Sequence, residues 1–365
     1  MNQRPFAIVT TRLPPATCGI GTYSSLLRQH WPGPHRIVEF LVIEGADAAN
    51  RDLKGDSVTD FNNDARQLAA ALRRLGAADV LLHYAGRAYH RRGCPVWMPR
   101  VLAEWKRRFP DARLMVYFHE LPGEMRPTSL HYWLGRVNRR IVRQLANLAD
   151  VVTTNTDHHA ATLQEISRRS DVQFVPVGSN IESVDHADSD RAATEFVLFG
   201  LSFGRLQTLR LFNGYLRRWI ASGRLTQLHI IGPADDAFAR QADELISRWA
   251  NPAIALRHGV FASVEVARML QRAQFAITNV TADTWSKSSA FMACAANGCS
   301  VIVRSRPANL VPVSYAIAAD ELETISDAEV RRRTAALANW YCENADWPVI
   351  ARRLAAAWNQ SQLLP

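Results

Sequence analysis

Short apolar runs alternate along the chain with longer stretches in which apolar positions recur every three or four residues. The short runs predict strands at Phe6–Thr10, Arg36–Leu41, Val80–His83, Arg113–Phe118, Val151–Thr154 and Gln173–Val175. The longer stretches predict helices between them, among them Asp64–Leu75, Pro95–Arg108 and Ser129–Leu148. Strands that alternate with helices are the mark of a parallel, doubly wound α/β sheet. The pattern lapses at Asn180–Asp190, a polar and acidic stretch without periodicity that reads as a linker. It then restarts, with strands expected at Phe196–Phe199, Gln227–Ile231, Ala253–Arg257, Phe275–Asn279 and Ser300–Val303. The helices between these are Leu209–Ala221, Ala237–Trp249, Val264–Arg272 and Ser288–Ala296. Two Rossmann-like doubly wound domains joined near residue 185 are therefore expected. Their limits are 1–182 and 191–345, and a C-terminal helix over 346–365 is expected to pack back across both.

The bulk properties narrow the setting. The 365 residues suit two domains and are ordinary in apolar and charged content. No apolar run approaches the roughly 20 residues that span a bilayer, and the first residues are too briefly apolar for a signal peptide. Cys18, Cys94, Cys294, Cys299 and Cys342 form no C-x-x-C pair, which argues against zinc and redox motifs and for a reducing cytoplasm. Nearly all of the net charge of +9 falls in residues 1–180.

Open parallel sheets bind ligands beyond the carboxyl ends of their strands, so the residues just after each strand are the candidates. After the first strand, Gly19-Ile20-Gly21 leads into a helix whose N–H groups can approach a phosphate. A dinucleotide fingerprint would need a third glycine where Ser24 stands. After Phe118 come His119 and Glu120, and the histidine is expected to titrate near neutrality. Gly200, Ser202 and Arg205 follow the first strand of the second half, where Arg205 is placed to grip a diphosphate with two N–H groups. Lys287 precedes Ser288 and Ser289, which cap the next helix, and together they make an anion site.

Taken in order, Pro14-Pro15 through Gly19-Ile20-Gly21-Thr22-Tyr23, Tyr84-Ala85-Gly86, Gly93-Cys94-Pro95-Val96-Trp97, Phe118-His119-Glu120, Val175-Pro176-Val177-Gly178-Ser179-Asn180-Ile181, Ile230-Ile231-Gly232, Gly259-Val260 and Ala293 to Val301 resemble the bacterial family 4 glycosyltransferases of the GT-B fold. The resemblance implies retaining sugar transfer from a nucleotide-diphosphate sugar to a glycan or lipid-linked saccharide, with no metal and no other cofactor. It implies that Gly19 to Gly21 lie against the donor diphosphate and that His119 contacts the sugar near the reacting carbon. Arg205, aided by Lys287, would neutralise the leaving phosphate. Gly200, Ser202, Ser288 and Ser289 would complete the donor site, with Val260 flanking the base. Tyr23, Tyr84 and Glu120 are acceptor-side candidates. The family's two glutamates, eight positions apart, fall on Trp285 and Ala293 here, so its E-x7-E motif is degenerate. Three other readings stay open: a sugar-nucleotide-binding protein without turnover, a GT-B-fold epimerase, and an NAD-dependent oxidoreductase disfavoured by Ser24.

Arg136, Arg139, Arg140 and Arg143 recur at helical spacing and share a face, with Leu134, Val137, Ile141, Leu145 and Leu148 expected to be buried opposite. That basic face is either solvated or meets an anionic membrane surface, which would make the protein peripheral at the inner face of the membrane. Nucleic acid is not an expected partner.

Overall fold

A computed structural model describes residues 5–16, 18–32, 38–45, 56–122, 130–183 and 191–360. The chain divides into two compact units. One comprises Met1–Pro176 with Ile350–Pro365, and the other comprises Val177–Val349.

The first unit is built on β1 (Phe6–Val9), α1 (Gly19–Gln29), β2 (Val38–Val42), β3 (Ser57–Asp60), α2 (Ala65–Leu75), β4 (Asp79–Tyr84), α3 (Trp97–Arg108), β5 (Arg113–Phe118), α4 (Leu130–Leu148), β6 (Val151–Thr154), α5 (Asp157–Ser167) and β7 (Gln173–Phe174). All seven strands are parallel, in the order β3-β2-β1-β4-β5-β6-β7. β1 starts the chain yet lies in the middle of its sheet, and its residues are buried on both faces. That is why it reads as a continuous apolar run rather than an alternating one. Alternate strand residues, such as Val80, Leu82 and Tyr84 on β4 and Leu114, Val116 and Phe118 on β5, form one core with Leu68, Leu72, Leu102, Trp105, Ile141 and Leu145 of the helices.

The second unit repeats the plan with β8 (Ala192–Phe199), α6 (Ser202–Ala221), β9 (Gln227–Ile231), α7 (Asp236–Ile246), β10 (Ala255–His258), α8 (Ser263–Arg272), β11 (Ala273–Ile277), α9 (Ser289–Ala296), β12 (Ser300–Val303), β13 (Ile317–Ala318) and α10 (Asp327–Asn344). Its six parallel strands run β10-β9-β8-β11-β12-β13. Phe196, Trp219, Phe212 and Phe275 anchor its core. The last helix, α11 (Trp347–Gln360), begins in this unit. From Ile350 onward it belongs to the first, where Trp358 meets Phe6 and the Arg113 guanidinium.

Several expectations need correction. β3 and β13 are short strands at sheet positions the apolar pattern did not mark, because their pairing partners carry them. α6 begins at Ser202, not Leu209, so Ser202 and Arg205 lie in its first turn rather than in a loop. Val137 of α4 is 40% exposed, and Val142 and Ala146 are buried in its place. The buried stripe drifts round the helix because 3.6 residues per turn do not divide evenly into the spacing. The first unit ends at Pro176 rather than at 182. Gly178 sits against the Trp347 ring, and the Trp347 indole N–H donates to the Ser179 carbonyl, 2.6 Å away. Residues 184–190 of the expected linker, and the starts of the Arg36–Leu41 and Ser129–Leu148 predictions, lie outside the described residues.

Candidate functional site

In the first unit the carboxyl ends of β1, β4, β5 and β6 present α1, His83, His119 and Asn155. No acidic residue occupies the first turn of α1, so its N–H groups keep their partial positive charge. Gly19 is exposed with open space where a side chain would stand, and Ile20 is half-buried. Gly21 answers a different demand. A Cβ there would lie 1.6 Å from the Arg12 carbonyl oxygen, so only glycine lets the helix pack on the loop that leaves β1. The Cys18 thiol meets the Thr11 hydroxyl at 2.9 Å. Burial pushes this thiol up, but the Thr11 bond and nearby backbone groups of Gly21, Arg12 and Ile20 outweigh it, so its pKa falls below the usual value.

His119 is 8% exposed and shares a ring-to-ring hydrogen bond of 3.0 Å with His83, which is fully buried. Tyr23 and Tyr117 close around the pair with ring centroids 4.5 to 5.8 Å away. Burial drives the His119 pKa down to about 3 and that of His83 well below its ordinary value, with the neighbouring His119 a lesser cause for the latter. His119 is thus a neutral imidazole, which corrects the expectation that it titrates near neutrality: the desolvation could not be seen before Tyr23 and Tyr117 were placed beside it. The backbone of His119 is held at both ends. Its N–H donates to the Tyr84 carbonyl and its own carbonyl accepts from Asn155 Nδ2.

Tyr84 is fully buried against Tyr89 and Phe118, and its hydroxyl donates to Asn138 Oδ1 at 3.1 Å, so it is a core residue and cannot face an acceptor. Tyr23 is likewise buried, and burial raises its phenol pKa. Glu120 remains exposed and lines a small cavity of about 130 Å³ with Arg87, Arg92, Leu134 and Asn138. Arg136, Arg139, Arg140 and Arg143 of α4 are all exposed. Arg139 pairs with Glu165 at 2.5 Å, while Arg140 and Arg143 join Arg100 along a groove of about 550 Å³ between α3 and α4.

In the second unit the loops after β8, β9 and β10 come together through glycines. Gly200 and Gly232 have φ of 131° and 134°, and a Cβ on Gly232 would meet the Gly200 carbonyl at 2.2 Å. The Gly232 N–H donates to the Gly259 carbonyl. Leu201, Phe203 and Val260 stand 64%, 73% and 68% exposed on the segments that leave β8 and β10. α6 starts with Leu201 as its N-cap and no side-chain cap. Ser202 donates its hydroxyl to the Pro233 carbonyl at 2.7 Å.

Arg205 is 1% exposed. Its Nη2 donates to the same Pro233 carbonyl, its guanidinium lies 4.2 Å from the Phe238 ring centroid, and among the described residues no group reaches its Nε. Burial lowers its pKa, opposed by Asp235. The expected open diphosphate grip is therefore corrected: the side chain ties the β9–α7 loop to α6. Lys287, by contrast, is exposed in the single turn before α9, with no ion pair among the described residues. Ser288 caps α9 by accepting from the Phe291 N–H at 3.2 Å, and Ser289 is its half-buried first residue. Trp285 and Ala293 are both buried, so the places of the family's paired acids belong to the core.

One arrangement escaped the reading of the sequence. Glu195, His229 and His258 lie on adjacent strands and form a chain of hydrogen bonds of 3.3 and 3.1 Å. Only the sheet register brings them together, and no spacing in the sequence announces it. Among the described residues, no group of three or more His, Cys, Asp or Glu is set to hold a metal ion, and no helix is long and apolar enough to cross a membrane.

Two parallel Rossmann-like sheets in one chain, each with its first strand inside the sheet, define the GT-B fold. Solved structures agree. Sucrose-phosphate synthase from Thermosynechococcus elongatus superposes with a TM-score of 0.74 at 14% identity, over 98% of this chain and 99% of that one. A glycosyltransferase from Rickettsia africae ESF-5 gives 0.70 at 11% identity, over 99% of each. Anabaena HepE in complex with UDP and glucose gives 0.68 at 12%, over 97% and 99%. The sequence matches no protein-family model and no curated protein.

Proposed function

We propose that this chain is a glycosyltransferase that moves a sugar from a nucleotide-diphosphate sugar to an acceptor with retention of configuration and without a metal. The observation that carries the reading is the carboxyl-end rim of the second unit. There exposed Leu201, Phe203 and Val260 offer apolar surface for a base, and the exposed Lys287 with the N-termini of α6 and α9 offers positive charge for a diphosphate. The likeness of the whole chain to GT-B structures supports it, and one of those structures holds UDP and glucose. Charge that develops on the leaving diphosphate would meet dipoles and a cation already in place, which is the main source of catalysis in such transfers. In the first unit we assign Gly19 and the open start of α1 to the donor phosphates and His119 to the sugar, as the sequence resemblance implies. Glu120 serves the acceptor, a glycan or lipid-linked saccharide. The exposed arginines of α4 favour an acceptor at an anionic membrane surface on the cytoplasmic side.

A thermal-shift panel of nucleotide sugars, followed by assays of transfer and of donor hydrolysis, tests this. A ligand at 100 times its Kd stabilises the fold by about 2.7 kcal/mol. No shift with any nucleotide sugar overturns the reading. Binding without turnover assigns the chain to donor binding alone, the outcome that its buried Trp285 and Ala293 in place of two acids would explain.

A further inference from the structure

His83 has no role in the reading above, yet it is a fully buried titratable group in contact with His119. It lies at the end of β4, fully buried, with its own carbonyl accepting from the Tyr89 hydroxyl at 2.7 Å. Its Nδ1 faces His119 Nε2 at 3.0 Å, and among the described residues no group reaches its Nε2. A neutral imidazole carries one hydrogen, on one nitrogen or the other. In the first arrangement, His119 Nε2 donates, and His83 must carry its hydrogen on Nε2, an N–H buried with nothing to accept it. In the second, His83 Nδ1 donates and only a lone pair is left buried. Buried N–H groups without a partner are the rarer of the two, so the second arrangement is favoured. His119 Nε2 then accepts, and the single hydrogen of His119 sits on Nδ1. Since His83 occupies Nε2, Nδ1 is the ring nitrogen left to meet a ligand.

We infer that His83 is a positioning residue: its Nδ1–H fixes His119 as the neutral Nδ1–H tautomer, so that His119 offers a hydrogen-bond donor to a hydroxyl or oxyanion of the donor substrate. This rests on the reading of His119 as a substrate contact. It adds that the contact is a neutral donor, not an imidazolium and not a base. The low pKa of both rings agrees, since the aromatic enclosure by Tyr23 and Tyr117 disfavours any charge on the pair. The tautomer of a histidine is set by what its other nitrogen meets.

Long-range proton–nitrogen spectra of the full chain, labelled with ¹⁵N-histidine, test the assignment directly. Both rings are expected as neutral Nδ1–H tautomers at pH 7 and at pH 5. In His83→Asn the side-chain amide can still donate to His119, and His119 keeps its Nδ1–H. In His83→Asp only an acceptor faces His119, which moves its hydrogen to Nε2. Among variants that melt like the parent, turnover of the best donor in the nucleotide-sugar panel stays within a few-fold for His83→Asn and falls by about 10²-fold for His83→Asp. An Nε2–H tautomer of His119 in the parent chain overturns the inference. So does an Nδ1–H that persists in His83→Asp with turnover equal to that of His83→Asn. If no donor is bound or turned over, the glycosyltransferase reading fails while the spectra still decide the tautomer.

Discussion

Arg205 separates two accounts of the second unit. As an exposed grip on a diphosphate, it should matter to turnover and not to folding. The structure places it elsewhere, 1% exposed, bonded to the Pro233 carbonyl and stacked on Phe238. Replacing it with alanine removes a charged hydrogen bond of about 1.5–3 kcal/mol and a desolvated cation–π contact of about 2 kcal/mol. It also leaves the Pro233 carbonyl with Ser202 alone and opens a void beside Gly232, whose Cβ direction points at the guanidinium from 3.3 Å. Against this stands the relief of a buried charge whose Nε has no partner among the described residues. The net loss is about 2–4 kcal/mol. For a unit of this size 1 kcal/mol moves the melting temperature by about 2–4 °C, so Arg205→Ala should melt roughly 4–16 °C lower. Arg205→Met keeps much of the side-chain volume without the buried charge and should lose less than half of that. Scanning calorimetry of the full chain resolves these changes, with the transition of the second unit as the one that moves. A melting temperature unchanged within about 1 °C, together with turnover reduced about 10²-fold, would falsify the structural role and restore the diphosphate grip.

The His83–His119 pair makes the first unit sensitive to acid. Both folded pKa values lie below that of an unfolded histidine, so the unfolded chain binds protons that the folded one refuses, and stability falls as pH drops from about 6.5 toward 3. At pH 5 the loss is about 2 kcal/mol for each ring that stays neutral, and urea titrations at pH 7 and pH 5 that give equal stability would contradict the enclosure. Gly21→Ala should cost more than about 3 kcal/mol, because its Cβ meets backbone at 1.6 Å, whereas Gly19→Ala should be neutral or slightly stabilising; equal melting of the two variants would refute the packing account. Lys287→Ala should fold like the parent and lose about 10² in turnover, and full activity would remove the lysine from the donor site. The triple exchange of Arg136, Arg140 and Arg143 to glutamine should abolish salt-sensitive binding to anionic vesicles, with neutral vesicles binding neither form; parent protein that ignores anionic vesicles at low salt rules out the membrane face.

The alternation of apolar runs and helical periods was enough to read two Rossmann-like sheets, since the strand and helix periods are local properties of the chain. The same holds for the glycines after β8 and β9 and for Ser288 as a helix cap, where backbone conformation or a bond three residues on decides the residue type. What local pattern could not decide was burial. His119, Arg205 and Tyr84 each follow or end a strand, where ligands bind, and each looked like a contact. Their neighbours come from elsewhere in the chain: Tyr23 and His83 for His119, Pro233 and Phe238 for Arg205, Asn138 for Tyr84. The His83–His119 pair and the Glu195–His229–His258 chain exist only because parallel register sets distant strands side by side. Desolvation and tautomer depend on those neighbours, so the chemistry of His83 and His119 was decided by tertiary structure, while their position at the carboxyl ends of strands was already written in the sequence.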